Sequence, residues 1–279
     1  MMTDKKYATD YTLPELLIAC GSREVKDGER LLIGVGLPLL SAMLAKRTHA
    51  PNSKMAYETG SFDSLPSRTP FSVVDATLVP RAIWAGQLGD IMALFLQRGF
   101  IDIGFIGGAQ VDKYGNLNST CMGDYFNPDV RFPGSGGAHD FGTFSKRSLI
   151  VMIHEKRRFA EKCDYITTPG YIRGGDSRYE EGLPEGTGPA AVISTLGVFR
   201  FDPETKEMFL DTYHPGVTVE QVKENVEWDL KISPDVRETE HPTEEQIRII
   251  RELDPDGFFL RRAELSKKIK AEAESMGWL

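Results

Sequence analysis

The chain has 279 residues, 41% of them hydrophobic and 27% charged, the make-up of a globular protein with a sizeable core rather than a disordered or fibrous one. Its formal net charge of -8 argues against a general nucleic-acid binder, which shows a basic face, yet leaves room for an anionic ligand held by local cations and backbone amides. Cys20, Cys121 and Cys163 are far apart with no metal-type spacing, so reduced structural thiols in a cytoplasmic protein are expected.

The opening MMTDKKYATDY has no apolar signal-peptide core. Thr12 to Val25 then reads as a helix, with Thr12 as N-cap, Pro14 and Glu15 in its first turn and Gly28 past its end. Leu31 to Val35 reads as a short apolar strand, and Pro38 sits near the start of a second helix ending at about Thr48. The run from Leu31 to Leu44 is broken by Gly34, Gly36, Pro38 and Ser41 and is too short to span a bilayer, so no membrane contact is expected. Lys54 to Glu58 reads as a strand stopped by Thr59-Gly60. Leu88 to Gln97 has helical spacing, with Leu88, Ile91, Met92 and Phe95 on one stripe. Ile101 to Ile106 is the next strand, running into Gly107-Gly108. Further strands are expected at Leu149 to Ile153, Ala190 to Thr195, Val198 to Phe201 and Met208 to Tyr213. Charged helices are expected at Thr243 to Leu253 and Arg261 to Ser275.

Strands alternate with helices through the first half, which predicts an α/β fold with a largely parallel open sheet flanked by helices. No repeat or low-complexity linker divides the chain. One domain over 1–279 is therefore expected, with a polar helical extension at about 257–279.

Several familiar sites are absent from the sequence. No serine has glycine at both the -2 and +2 positions, so there is no nucleophile elbow. His154-Glu155 lacks the second histidine of a zinc helix, there is no P-loop, and the glycines do not form a dinucleotide fingerprint. No metal site is expected. What stands out is glycine-rich turns: Gly107-Gly108-Ala109-Gln110, Lys113-Tyr114-Gly115-Asn116 and Gly134-Ser135-Gly136-Gly137-Ala138. Such runs let a backbone approach a ligand and aim N–H groups at an anion, although isolated glycine runs are more often plain turns. Glu58, at a strand end before Thr59-Gly60, is where α/β sheets bind ligands, but a lone glutamate is usually a solvated surface charge. Residue by residue, this gives an α/β protein with a possible anion or acyl site and no defined reaction.

The order of the pieces resembles the β-type subunit of family I CoA-transferases, and glutaconate CoA-transferases within it. The segments that carry the resemblance include GVGLPLLSAMLAKRTHAP at 34–51, YETG at 57–60, FIGGAQVDKYGNLNST at 105–120, GDYFNPDVRFPGSGGA at 123–138, HEKRRF at 154–159 and DYITTPG at 164–170. The resemblance covers about residues 12 to 256. It implies a CoA-transferase-like fold, with Glu58 as catalytic nucleophile and Gly136 or Gly137 as oxyanion-hole donor. It also implies Gly134, Ser135 and Ala138, with Gly107, Gly108, Ala109, Gln110 and Asn116, around the CoA or acyl group.

The implied chemistry is ping-pong transfer of CoA through a glutamyl-CoA thioester, with coenzyme A and acyl-CoA as substrates and no cofactor. The implied partner is a separate α-type subunit, in αβ dimers that assemble further, acting on a glutaconate-like or other short acid. Relatives of this family have become acyl-CoA hydrolases or decarboxylases, often losing the glutamate, so retention of Glu58 favours transfer. A non-catalytic CoA-ligand-binding protein on the same fold is the other alternative.

Overall fold

The computed structural model describes residues 5–34, 36–64, 66 and 68–261. Helix α1 (Leu13–Arg23) starts on a reciprocal capping box: the Thr12 hydroxyl accepts the Glu15 N–H while the Glu15 carboxylate accepts the Thr12 N–H. Helix α2 (Leu37–Arg47) carries Pro38 in its first turn, where a missing N–H costs nothing. Between and after them come strands β1 (Arg30–Ile33), β2 (Lys54–Ala56), β3 (Ser61–Phe62) and β4 (Trp84–Ala85).

The stretch expected as a regular helix from Leu88 starts instead at Asp90 and runs to Leu96 with π-type winding, Gln97 N–H reaching Met92 C=O at 3.0 Å. The wider turn changes the buried stripe to Ile91, Met92 and Leu96, and Leu88 is exposed. Then follow β5 (Ile103–Ile106), the hairpin β6 (Gln110–Val111) and β7 (Leu117–Asn118), and the hairpin β8 (Cys121–Gly123) and β9 (Pro128–Arg131). Helix α3 (Ala138–Phe144) grows out of the densest glycine cluster. It leads to β10 (Arg147–Met152), the short α4 (Ser177–Glu180), β11 (Pro189–Ser194), β12 (Gly197–Phe201) and β13 (Met208–Tyr213). The described part ends with α5 (Val219–Glu224), β14 (Lys231–Glu238), α6 (Glu244–Leu253) and a packed turn to Arg261.

Among the described residues ten strands form one sheet, in the order β14-β13-β12-β11-β10-β5-β1-β2-β3-β4. Its centre, β11-β10-β5-β1-β2, is parallel throughout, and antiparallel strands extend both flanks. Strand alternation sorts the side chains into two cores. Leu31, Ile33, Ile103, Phe105, Leu149 and Ile193 face α1, α2 and α6. Leu32, Ile106, Ile150, Met152 and Val192 face the π-wound helix and α3. Each fully buried aliphatic of this kind stabilises the fold by roughly 1.5–3 kcal/mol. The chain leaves β1 in one direction to reach β2 and later places β5 on the other side of β1. The sheet therefore has a topological switch beside β1, and ligand crevices form at the carboxyl ends of strands around such points.

The sequence reading did not place helices α3, α4 and α5 or strands β3, β4, β6, β7, β8, β9 and β14. α3 contains Gly142, and β14 is an edge strand with mostly exposed residues and Pro234. The expected helix Arg261 to Ser275, and residues 262–279 of the expected extension, lie outside the described residues. The stretch from Gly257 to Arg261 is not a polar arm: Phe259 is buried, and the Asp254 carboxylate accepts the N–H groups of Phe258, Phe259 and Leu260. No described helix is long and apolar enough to cross a membrane.

Candidate active site

A cavity of about 830 Å³ opens at the carboxyl ends of the five central strands, within the size range of small-molecule sites. Gly34 and Gly36 follow β1, Glu58 follows β2, and Gly107 and Gly108 follow β5 on its wall. Ile153 and Thr195, after β10 and β11, complete that side.

Glu58 is not in the strand itself, which stops at Ala56. It occupies a tight turn closed by the Gly60 N–H donating to Tyr57 C=O at 3.0 Å, and Gly60 has φ +116°, a conformation that favours glycine. The turn is pinned on both sides. Tyr57 is buried, and the Thr59 hydroxyl donates to Val73 C=O at 2.6 Å. The Glu58 carboxylate is half-buried, and burial raises its pKa above the ordinary 4.5; no described group donates a hydrogen bond to it. A carboxylate so placed is more basic and less hydrated than one on the surface, which makes it a better nucleophile while still ionised.

Gly137 faces it. A Cβ built on Gly137 would lie 2.5 Å from Glu58 Oε2 and 2.9 Å from the Phe141 ring, so only a glycine lets the loop backbone come this close. Phe141, from α3, and Met92, from the π-wound helix, back this contact. The loop itself is held by the Gly134 N–H on Ser119 C=O at 3.0 Å and by the Ser119 hydroxyl on Gly134 C=O at 2.9 Å. The far end of α3 is clamped by Arg178, fully buried, whose guanidinium donates to the carbonyls of Gly142, Thr143, Pro169 and Gly170.

The structure thus gathers Glu58, Ala138, Gly107 and Gly108 at one cavity, with Gly137 against Glu58. Gly134, Ser135 and Gly136 form the loop leading to Gly137; Gly136 has φ +48° and open space around it. Ala109, Gln110 and Asn116 do not line the cavity. The Ala109 N–H donates to Asn118 C=O, and Gln110 is buried against Asn118 and Asp164. Asn116, fully buried, donates to both Asp112 oxygens and to Ile172 C=O and accepts the N–H groups of Gly170 and Ile172.

His139, beside the glycine cluster, bonds Thr167 C=O and stays off the cavity wall. Of the basic residues near the glycine turns, Lys113, Lys146 and Arg147 pair with Glu161, Asp102 and Glu29, whereas Arg131 donates to the Tyr125 C=O and lies over the Tyr125 ring. The sequence reading missed Phe141, Met92, Arg178 and the hydrocarbon lining. Their only sequence signal is apolar or basic character, shared by most of the core and surface.

The fold is an open α/β sheet, and Glu58, half-buried and without a hydrogen-bond donor among the described residues, lies against a glycine loop at its strand ends. The family description for coenzyme A transferase matches residues 17–225. The chain belongs to the coenzyme A transferase family. It is 41% identical to the B component of the glutaconate CoA-transferase of Acidaminococcus fermentans, over 91% of this chain and 96% of that one. The glutaconate CoA-transferase crystal structure from the same organism superposes with a TM-score of 0.86 at 39% identity, covering 91% of this chain and 99% of the other. The chain is 38% identical to the B component of the 3-oxoadipate CoA-transferase of Pseudomonas knackmussii, over 88% and 94% of the two chains. The structure of the decarboxylase AibA/AibB matches with a TM-score of 0.76 at 25% identity, over 89% and 97%.

Proposed function

We propose that this chain is the glutamate-bearing half of a heteromeric CoA-transferase, working with an α-type subunit that completes the site, and that Glu58 is its nucleophile. The observation that carries the reading is the Glu58 carboxylate, half-buried, without a described hydrogen-bond donor and held against Gly137 at the strand ends. Both transferase relatives are named as single subunits of a larger enzyme, which supports the two-subunit assembly.

The reaction runs by covalent catalysis. A Glu58 carboxylate oxygen attacks the thioester carbonyl of an acyl-CoA, and the tetrahedral adduct collapses with loss of CoA thiolate to an acyl-glutamyl anhydride. The thiolate then attacks the glutamyl carbonyl, leaving a glutamyl-CoA thioester and releasing the first acid. An acceptor carboxylate attacks that thioester and the same steps run in reverse. Backbone N–H groups of the Gly136-Gly137 pair serve the oxyanion, each such donor being worth about 3–4 kcal/mol. The coenzyme's long arm supplies binding energy away from the reacting carbonyl. The relatives are named for glutaconate and 3-oxoadipate, and both acids are assayed as acceptors beside short monocarboxylic acids.

The test is peptide mass spectrometry of the co-expressed two-subunit enzyme after incubation with an acyl-CoA and trapping by hydroxylamine or borohydride. The trapped adduct is expected on Glu58. CoA release with no adduct there would sink the reading, as would full transferase activity in Glu58→Ala. A protein that binds CoA esters without turnover, even beside its partner, would be a sensor instead.

A further inference from the structure

We infer that the acyl group carried at Glu58 is an apolar hydrocarbon chain without a second carboxylate. This rests on Glu58 being the nucleophile and adds the substrate class. Glu58 opens into the cavity of about 830 Å³, far more room than an acetyl group needs. Away from Glu58 the wall is hydrocarbon: Leu13 and Leu17 from α1, Val151 and Ile153 at the end of β10, Phe259 and Leu260 from the packed terminal turn. Among the described lining residues Glu58 is the one charged side chain, and Thr195 the one hydroxyl. The oxygen of that hydroxyl already accepts the His154 N–H at 3.0 Å.

The end of α2 that reaches the cavity has Pro38, which carries no N–H, while Leu39 and Leu40 both donate to Gly36 C=O at 3.1 and 3.3 Å. A distal carboxylate entering this space would lose its water without meeting a described cation. The pantetheine arm is kept out of the same space for a related reason. Its two amides and hydroxyl would lose water against walls whose polar side chains are Glu58 and Thr195 alone among the described residues. A methylene chain meets the opposite balance, gaining with each carbon buried. The acids named for the two transferase relatives are dicarboxylates, so this chain departs from them in the group its own half of the site accommodates.

The co-expressed two-subunit enzyme is assayed with acetyl-, butanoyl-, hexanoyl-, glutaryl- and adipyl-CoA as donors and acetate as common acceptor (propanoate for acetyl-CoA). Both kcat/KM and the Glu58 adduct are read. From butanoyl to hexanoyl, kcat/KM is expected to rise about threefold to fourfold per methylene. Adipyl-CoA, of the same carbon length as hexanoyl-CoA, is expected at least about tenfold below it. Equal or better use of adipyl-CoA, with Glu58 still labelled, overturns the substrate class and leaves the nucleophile standing. No adduct at Glu58 with any donor overturns both. In Leu37→Arg, which adds a cation to the wall, the adipyl-to-hexanoyl ratio is expected to rise at least about tenfold. An unchanged ratio in that variant, with its Glu58 still labelled, counts against the inference.

Discussion

Glu58 and Asp112 are both carboxylates whose pKa burial pushes above the ordinary range, and they are partnered in opposite ways. Asp112 follows its strand inside the β6–β7 hairpin turn. It accepts the N–H groups of Tyr114 and Asn116 and the amide of Asn116, at 2.9–3.1 Å. Glu58 also lies in a turn after its strand, yet no described donor meets it and the nearest backbone is that of Gly137. The hairpin satisfies its polar groups internally and so fixes shape. The Glu58 turn leaves one pair of oxygens without partners at the edge of a cavity, and such a group is free to react. Burial alone does not separate these two acids; the hydrogen-bond partners of each do.

The largest effect expected from breaking this contrast is at Glu58. Glu58→Ala, and equally Glu58→Gln, should lower kcat/KM for CoA transfer by at least about 10³-fold, since no neighbouring described carboxylate can stand in for the nucleophile. Steady-state kinetics of the two-subunit enzyme measure it, and a loss under tenfold would return Glu58 to the class of positioning charges. Gly137→Ala comes next. The added carbon falls 2.5 Å from Glu58 Oε2 and 2.9 Å from Phe141, so the carboxylate or the loop must shift. A displacement of this size costs on the order of 10²-fold in kcat. Retained folding, judged by thermal unfolding, separates that outcome from collapse of the loop.

Asn116→Ala tests the other half. It strips partners from Asp112 in the hairpin turn and from the N–H groups of Gly170 and Ile172 in the segment packed against it. About 3 kcal/mol of stability should go, seen as a Tm lower by roughly 5–10 °C. The activity of the protein that stays folded should change little. A variant that keeps its Tm but loses transfer would place Asn116 in the site after all.

How much of this was readable from the sequence depended on range. The capping box of α1, the apolar strands of the parallel block and the turn at Gly115 are local patterns. They emerged within a residue or two. The π-wound helix was misread because the spacing of Ile91, Met92 and Phe95 fits an ordinary helical turn, and only packing against α3 and β3 selects Leu96 for burial. The site was legible as pieces. Glu58 and Gly137 were both singled out through resemblance, but that Gly137 rather than Gly136 packs against Glu58 needed a distance across the fold. Asn116 and Gln110 look the same in sequence as ligand-binding amides do. Nothing local tells whether a buried amide satisfies a ligand or, as here, a neighbouring strand.

The smallest effect sharpens the comparison most, because it sets the two carboxylates side by side in stability rather than rate. Glu58 has a folded pKa above its unfolded value, so its contribution is fully favourable below about 4.5 and is lost as pH rises through the raised value. At pH 7.5 the ionised, half-buried, unpartnered group is therefore a net cost to the fold. Glu58→Gln removes that cost and should leave Tm unchanged or raise it slightly, with an advantage that shrinks as the pH approaches the unfolded value. Asp112→Asn has the same change in charge and should do the reverse. Its new N–H₂ would confront the Asn116 amide and the backbone N–H groups that now donate to Asp112, so Tm should fall at both ends of the range. Thermal unfolding of the two variants at pH 7.5 and pH 5 compares them directly. A stabilised Asp112→Asn or a strongly destabilised Glu58→Gln would reverse the roles assigned to the two acids.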